Sequence, residues 1–125
     1  MRILVIDNSK IIAERLEEII ANEKKIKCIE KAFTYFQAIK LYYELKPDAI
    51  LLDSELPKNE ALRLLKEVKK DNKKAIVIIL SVQSDIYFKE KWLSYGADYY
   101  FDKYHEFEKI VEVIKTVFEH NYLTE

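Results

Sequence analysis

The sequence predicts a single α/β domain, built on a parallel sheet with helices on both faces. Three observations carry that prediction. Five short apolar runs alternate with five longer segments patterned at helical spacing. The connections between them are short. The runs themselves are almost wholly apolar, as in Ile3-Leu4-Val5-Ile6 and Ile76-Val77-Ile78-Ile79-Leu80, which suits strands covered on both sides. A chain of 125 residues is long enough to bury one proper core, and with half its residues hydrophobic it is not expected to be disordered.

The first strand is read from Arg2 to Ile6. Asn8 and Ser9 follow as caps for a helix whose Ile12, Leu16, Ile19 and Ile20 share one face. Lys27 to Ala32 reads as a second, weaker strand. Thr34 and Gln37 form a capping box ahead of a helix carrying Ala38, Ile39, Tyr42 and Leu45, which Pro47 stops. Asp48 to Asp53 is the third strand. Leu62, Leu65 and Val68 mark a third helix, with Lys66 to Lys74 as its solvated, charged end. Ala75 to Ser81 is the most hydrophobic strand. Ser84 to Tyr95 reads as helix, stopped by Gly96, the one glycine in the chain and a natural residue just past a helix end. Ala97 to Asp102 is the fifth strand, and Phe107, Ile110, Val111, Ile114 and Val117 define the last helix. Neither repeats nor linkers interrupt residues 1–125, which are read as one domain.

Bulk properties narrow the function. The 21 basic and 22 acidic residues leave a formal net charge of −1, so charge alone predicts no attraction to nucleic acid or anionic membrane. One cysteine, Cys28, excludes an internal disulfide and a cysteine-rich metal site, and its place in an apolar stretch reads as a buried, inert thiol. No apolar run approaches membrane-spanning length and no signal peptide precedes the first strand, so a cytoplasmic protein is expected. His105 and His120 have no ligand companions at metal spacing and are read as surface residues.

The chemistry lies at the strand ends. Asp7, Asp53, Ser81 and Lys103 each follow an apolar run, and strand ends of open parallel sheets are where ligand sites are built. Two carboxylates, a hydroxyl and an ammonium suit a cation and a phosphoryl group held together. Taken singly, each would read as an ordinary loop or cap residue.

Taken in order, these residues resemble the receiver domains of two-component response regulators, over nearly the whole chain. That family has an acidic pair after the first strand, a phosphoacceptor aspartate after the third, Ser/Thr after the fourth and lysine after the fifth. Here these positions hold Asp7-Asn8, Asp53, Ser81 and Lys103. Leu56-Pro57 matches the Met/Leu-Pro after the acceptor, and Gly96-Ala97-Asp98-Tyr99-Tyr100 is similar to the family's Gly-Ala-Asp-(Asp)-Tyr segment. The resemblance implies a flavodoxin-like, doubly wound (βα)5 fold with strand order 2-1-3-4-5. It implies a phosphoryl group passed to Asp53 from a sensor histidine kinase or phosphotransfer protein. Mg²⁺ would be held by Asp7, residue 8, Asp53 and the backbone carbonyl of Glu55. Ser81 and Tyr100 would be the switch, changing the face of the fourth helix, fifth strand and fifth helix, where an effector or a second copy would dock. Such a domain acts on its own aspartate and is not a turnover enzyme.

Departures from the pattern are informative. Asn8 replaces a metal-binding carboxylate, so weakened Mg²⁺ binding is expected, with the Glu55 side chain restoring part of the charge. Val82 follows Ser81 where the family favours a smaller residue, implying narrower access to Asp53. Tyr104 follows Lys103 where most relatives have proline, so a trans peptide is expected there. Asn8 and Val82 favour the alternative of a pseudo-receiver, a binding module that works without phosphorylation. Asp53-Ser54-Glu55 faintly resembles the Asp-x-Asp motif of haloacid dehalogenase phosphatases, but that motif follows their first strand. A flavin protein of flavodoxin type would need a Ser/Thr-Gly phosphate loop, which Asp7-Asn8-Ser9-Lys10 lacks. Trp92, with Tyr87, Phe88 and Tyr95 nearby, is read either as packing against the sheet or as an anchor for a partner.

Overall fold

Alternate residues of the central strands feed two different cores. In the computed structural model, which describes residues 1–23, 26–83 and 85–124 with side chains as far as Val117, the first strand, β1 (Arg2–Ile6), is buried from Ile3 onward. Leu4 and Ile6 point into one core with Ile50, Leu52, Val77 and Ile79. Ile3 and Val5 point into the other with Ala49, Leu51, Ile78 and Leu80. Side chains alternate across a strand, so a run with no polar interruption needs a helical layer on each side.

The remaining elements are α1 (Lys10–Ala21), β2 (Cys28–Ala32), α2 (Tyr35–Leu45), β3 (Ala49–Asp53), a short 3-10 turn (Pro57–Asn59), α3 (Glu60–Asp71), β4 (Ile76–Ser81), α4 (Ile86–Ser94), β5 (Tyr99–Asp102) and α5 (Phe107–Thr124). All strand pairs are parallel and the sheet order is β2-β1-β3-β4-β5. This is the expected doubly wound, flavodoxin-like arrangement. Ala13, Leu16 and Ile20 of α1 and Ile110 and Ile114 of α5 close one core. Ala38 and Tyr42 of α2 and Ala61, Leu64, Leu65 and Val68 of α3 close the other. Each fully buried aliphatic side chain contributes about 1.5–3 kcal/mol.

Local signals set the boundaries. Ser9, not Asn8, caps α1, its hydroxyl accepting from the Ile12 N–H at 3.3 Å. Thr34 caps α2 through the Gln37 N–H at 3.2 Å, and Gln37 reaches back to the Phe33 N–H at 2.9 Å. Asp85 caps α4 by accepting from the Tyr87 N–H at 2.8 Å. The expected start of that helix at Ser84 lies outside the described residues. Gly96 stands just past α4 with φ +111°, a conformation that side chains with a Cβ resist.

Three expectations need correction. Lys69 is not part of a merely solvated tail: its ammonium donates to the Ala75 carbonyl and to Asp98, both at 2.7 Å, tying the end of α3 to the strands. Leu62 is only half-buried, and Leu64 takes the inward place the spacing gave it. Cys28 is half-buried as well, because β2 is a sheet edge with one neighbour. The helix α4 is the least anchored, burying no residue fully and resting on half-buried Phe88 and Trp92. No helix among the described residues is long and apolar enough to cross a membrane.

Candidate functional site

The sheet delivers four polar residues to one end. Asp7 extends the β1 ladder through its N–H to Ala32 O at 3.1 Å, and Asp53 is the last residue of β3. Ser81 ends β4, and Lys103 follows β5 with its N–H on the Ser81 carbonyl at 2.9 Å. With β1 lying between β2 and β3, the chain reverses direction across the sheet here, which opens a crevice at the carboxyl ends of the strands.

Lys103 bridges the two acids. Its Nζ lies 2.7 Å from Asp7 Oδ2 and 3.1 Å from Asp53 Oδ1, and the three side chains are 6%, 1% and 0% exposed. Asp7 Oδ1 accepts from the Ser9 N–H at 2.8 Å, and Asp53 Oδ1 from the Glu55 N–H at 2.9 Å. Among the described residues Asp53 Oδ2 is buried without a hydrogen-bond partner, while Asp7 Oδ2 meets the ammonium as an ion pair off the hydrogen-bond direction. Burial raises the Asp7 pKa above its ordinary value, with Lys103 and the Ser9 N–H opposing and Asp53 adding to the rise. For Lys103 burial works downward, but Asp7 and Asp53 together outweigh it and hold its pKa above the usual lysine value.

These donors fit a small, hard cation. Among the described residues no group of three His, Cys, Asp or Glu side chains converges to hold a metal. A structural zinc would need such a set. Mg²⁺ does not, because it is commonly held by one or two carboxylates with waters and phosphate oxygens completing the shell. The Asp7 and Asp53 carboxylates, side by side under the Lys103 ammonium, supply that minimum. Asn8 is exposed beside Asp7, and Glu55, also exposed, follows Asp53 by two residues.

A second set of contacts runs from the acids towards α4. Ser81 Oγ donates to Glu55 Oε1 at 3.4 Å, and the Gln83 N–H donates to Ser81 Oγ at 3.0 Å. The Tyr100 hydroxyl donates to the Gln83 carbonyl. Tyr100 is turned inward and is 5% exposed. Its phenol pKa is raised, mainly by burial and further by the charges of Glu55, Asp102 and Asp85, with a Ser81 hydrogen bond opposing. Val82 is exposed beside this chain of contacts.

Sequence reading missed several participants. Gln83 joins Ser81 to Tyr100, and the Glu55 side chain, besides its negative charge, accepts from Ser54 and Ser81. Gln83 carries no sequence signal, since it acts largely through its backbone. Asp102 reads in the sequence only as a strand end, although Asp two and three residues before loop N–H groups is a recognisable turn former. Trp92 satisfies one of its two readings: it packs half-buried against the core, and also lines a groove of about 400 Å³ that runs from Tyr95 and Leu62 to Glu55 and Ser81. His105 is exposed and pairs with Asp102. The side chain of His120 lies outside the described residues. The peptide before Tyr104 is trans, as expected.

A five-stranded sheet in this order, with two acids, a lysine and a hydroxyl at its carboxyl edge, defines a receiver-type signalling domain. Comparison with known proteins agrees: residues 3–115 match the family model of the response regulator receiver domain, and the chain belongs to that family. It is 31% identical over 115 residues to the transcriptional regulatory protein DltR of Streptococcus agalactiae, covering 92% of this chain and 50% of that protein. It is 24% identical to the response regulator GacA of Pseudomonas aeruginosa, covering 94% and 55%. The chain thus spans about half the length of these curated relatives. Among solved structures, the response regulator domain of Thermotoga maritima CheB superposes with a TM-score of 0.78 at 26% identity, covering 95% and 94% of the two chains. A Francisella response regulator receiver domain gives 0.83 at 25%, covering 96% and 98%.

Proposed function

We propose that this domain is a phosphorylation-dependent signalling receiver in which Asp53 takes a phosphoryl group from the phosphohistidine of a sensor kinase or phosphotransfer protein. The observation that carries this reading is the division of labour on Asp53. One oxygen is held by the Glu55 N–H and Lys103, and the other, Oδ2, is buried and has no hydrogen-bond partner among the described residues. Oδ2 is the nucleophile: it forms a new P–O bond as the P–N bond breaks and the imidazole leaves with the electron pair. Lys103 stays against the two acids and neutralises charge on the transferred group, and the Ser81 hydroxyl leaves Glu55 to donate to a phosphoryl oxygen. Bound Mg²⁺, held by Asp7, Asp53, the Glu55 carbonyl and the Asn8 amide, would supply further positive charge to the phosphoryl oxygens.

Ser81 is tied through Gln83 to Tyr100, so movement of its hydroxyl reaches the face of α4, β5 and α5. That face is the proposed docking surface for an effector or a second copy, in a cytoplasmic protein. A second reading, the pseudo-receiver, is favoured by Asn8, an amide where the family has a metal-binding carboxylate, and by Val82, which stands exposed beside Ser81.

Incubation with acetyl phosphate and Mg²⁺, followed by intact mass, separates the two. The receiver reading expects a base-labile gain of one phosphoryl group in wild type and none in Asp53→Asn. No gain in a folded wild-type sample at high Mg²⁺ would establish the pseudo-receiver instead.

A further inference from the structure

We infer that Asp102 is a positioning residue for Lys103, folding the chain after β5 into the turn from which the ammonium reaches both acids. The inference rests on the phosphoryl-transfer reading and deepens it. The Asp102 carboxylate accepts through one oxygen, Oδ1, from the Tyr104 N–H at 2.8 Å and the His105 N–H at 3.0 Å, with His105 Nδ1 also at 3.0 Å. The turn is closed from the other side by Glu106. Its Oε1 accepts the Asp102 N–H at 2.8 Å, its own N–H returns to the Asp102 carbonyl at 3.2 Å, and Lys109 holds its second oxygen at 2.7 Å. The carboxyl of Asp102 lies below its ordinary pKa, chiefly because of the Tyr104 N–H.

Lys103 sits inside this ring of hydrogen bonds. Its N–H is fixed to Ser81, so the backbone on both sides of it is pinned and only the side-chain torsions remain free. The Tyr104 and His105 side chains add little packing to the loop, being 53% and 81% exposed. Tyr104 does not restrict its own φ as a proline would. Without the Asp102 acceptor, the two N–H groups turn to water and the Tyr104–His105 segment loosens, leaving the Glu106 bonds to the Asp102 backbone to close the turn alone. Displacement of a catalytic group by about 1 Å can cost on the order of a hundredfold in rate. The loop therefore matters through Lys103 and not through contacts of its own with the phosphoryl donor.

The test is a pair of double-mutant cycles with Asp102→Ala, Asp102→Asn and Lys103→Met, using acetyl phosphate and Mg²⁺ as the probe. Asp102→Ala is expected to slow Asp53 phosphorylation at saturating donor by about tenfold or more. Asp102→Asn keeps an oxygen acceptor and is expected to stay within about threefold of wild type. In the Lys103→Met background, Asp102→Ala should slow the residual rate no further. In urea unfolding, the midpoint shift caused by Lys103→Met should shrink by at least half once Asp102 is alanine. Wild-type rate in Asp102→Ala, equal slowing with and without Lys103, or an unchanged urea shift would each overturn the inference. Failure of wild type to take up a phosphoryl group would instead sink the proposed function, and the urea cycle would still decide the role of Asp102.

Discussion

Replacing Lys103 by methionine removes the one ammonium shared by two buried carboxylates, with little change in volume. At an effective dielectric near 20, attractions over 2.7 and 3.1 Å are each of order 5–6 kcal/mol before the cost of burying the ammonium is counted. Breaking a buried pair by removing one partner costs a net of about 3–5 kcal/mol, because the remaining charge is left uncompensated. Against a total stability of about 5–15 kcal/mol that is a large fraction. It corresponds to a fall in Tm of roughly 12–20 °C for a domain of this size.

The pH dependence gives the assay its discrimination. Asp7 has a folded pKa above its ordinary value of 3.8, so its ionisation costs the native state. That cost is absent below 3.8 and grows as pH rises through the folded value. In Lys103→Met the cost is larger, because the lysine's opposing influence is gone. The Tm gap between the variants should therefore be full at pH 7 and narrow as pH falls towards 4. Lys103 itself has a folded pKa above 10.5, so its stabilisation is complete below 10.5 and fades as pH rises through that higher value. Adding Mg²⁺ at ten times its Kd stabilises by about 1.4 kcal/mol, and one fixed Mg²⁺ concentration should stabilise the variant more than wild type, because loss of the ammonium tightens the site for the cation. A variant within 1 kcal/mol of wild type at pH 7, with no pH dependence in the difference, would refute the charge argument.

Asn8→Asp adds a carboxylate beside Asp7 and should tighten Mg²⁺ roughly tenfold by calorimetric titration, while lowering the stability of the metal-free protein. Lys58 occupies the left-handed region at φ 56°, ψ 35°. Relief of about 1–2 kcal/mol of backbone strain, less the added freedom of glycine in the unfolded chain, should make Lys58→Gly more stable by about 0.5–1 kcal/mol. The urea midpoint should rise with an unchanged slope. Gly96→Ala should do the opposite, losing about 1–2 kcal/mol. The nearest atom to the added Cβ would be 3.9 Å away, so this loss reports backbone conformation alone and a neighbouring cavity-making mutation should not rescue it.

Much of the fold was legible because its signals are local or periodic. Unbroken apolar runs require two-sided cover, and Thr34, Ser9 and Gly96 mark helix ends by their own chemistry. Strand order is not local, and it entered through the family resemblance. At the site, Asp7, Asp53, Ser81 and Lys103 were legible as strand ends, and the structure joins Asp7, Asp53 and Lys103 directly and sets Ser81 beside them through Glu55 and the strand ladder. What was not legible depends on side chains meeting across the sheet. The buried state of Tyr100 depends on a carbonyl at Gln83, and the loop after Lys103 depends on an acceptor at Asp102. Lys69 reads as surface charge because it stands in a lysine-rich stretch, whereas its partners come from the residue before β4 and the turn before β5.

The same geometry gives Asn8 a physical reading beyond simple loss. Two carboxylates against one ammonium leave the metal-free site with one negative charge. With Mg²⁺ it would carry one positive charge. A phosphoryl group brings Asp53 to about −2 at neutral pH, so the phosphorylated, metal-bound site would be close to neutral. A carboxylate at position 8 would make the metal-free site more negative, improving capture of the cation, and would leave the phosphorylated site negative. The amide therefore weakens metal binding but removes a repulsion from the product. On this argument Asn8→Asp should gain in Mg²⁺ affinity while its phosphorylated form hydrolyses no more slowly at saturating Mg²⁺. A longer-lived acyl phosphate in that variant would show that residue 8 acts through ligand geometry and not through the charge balance of the site.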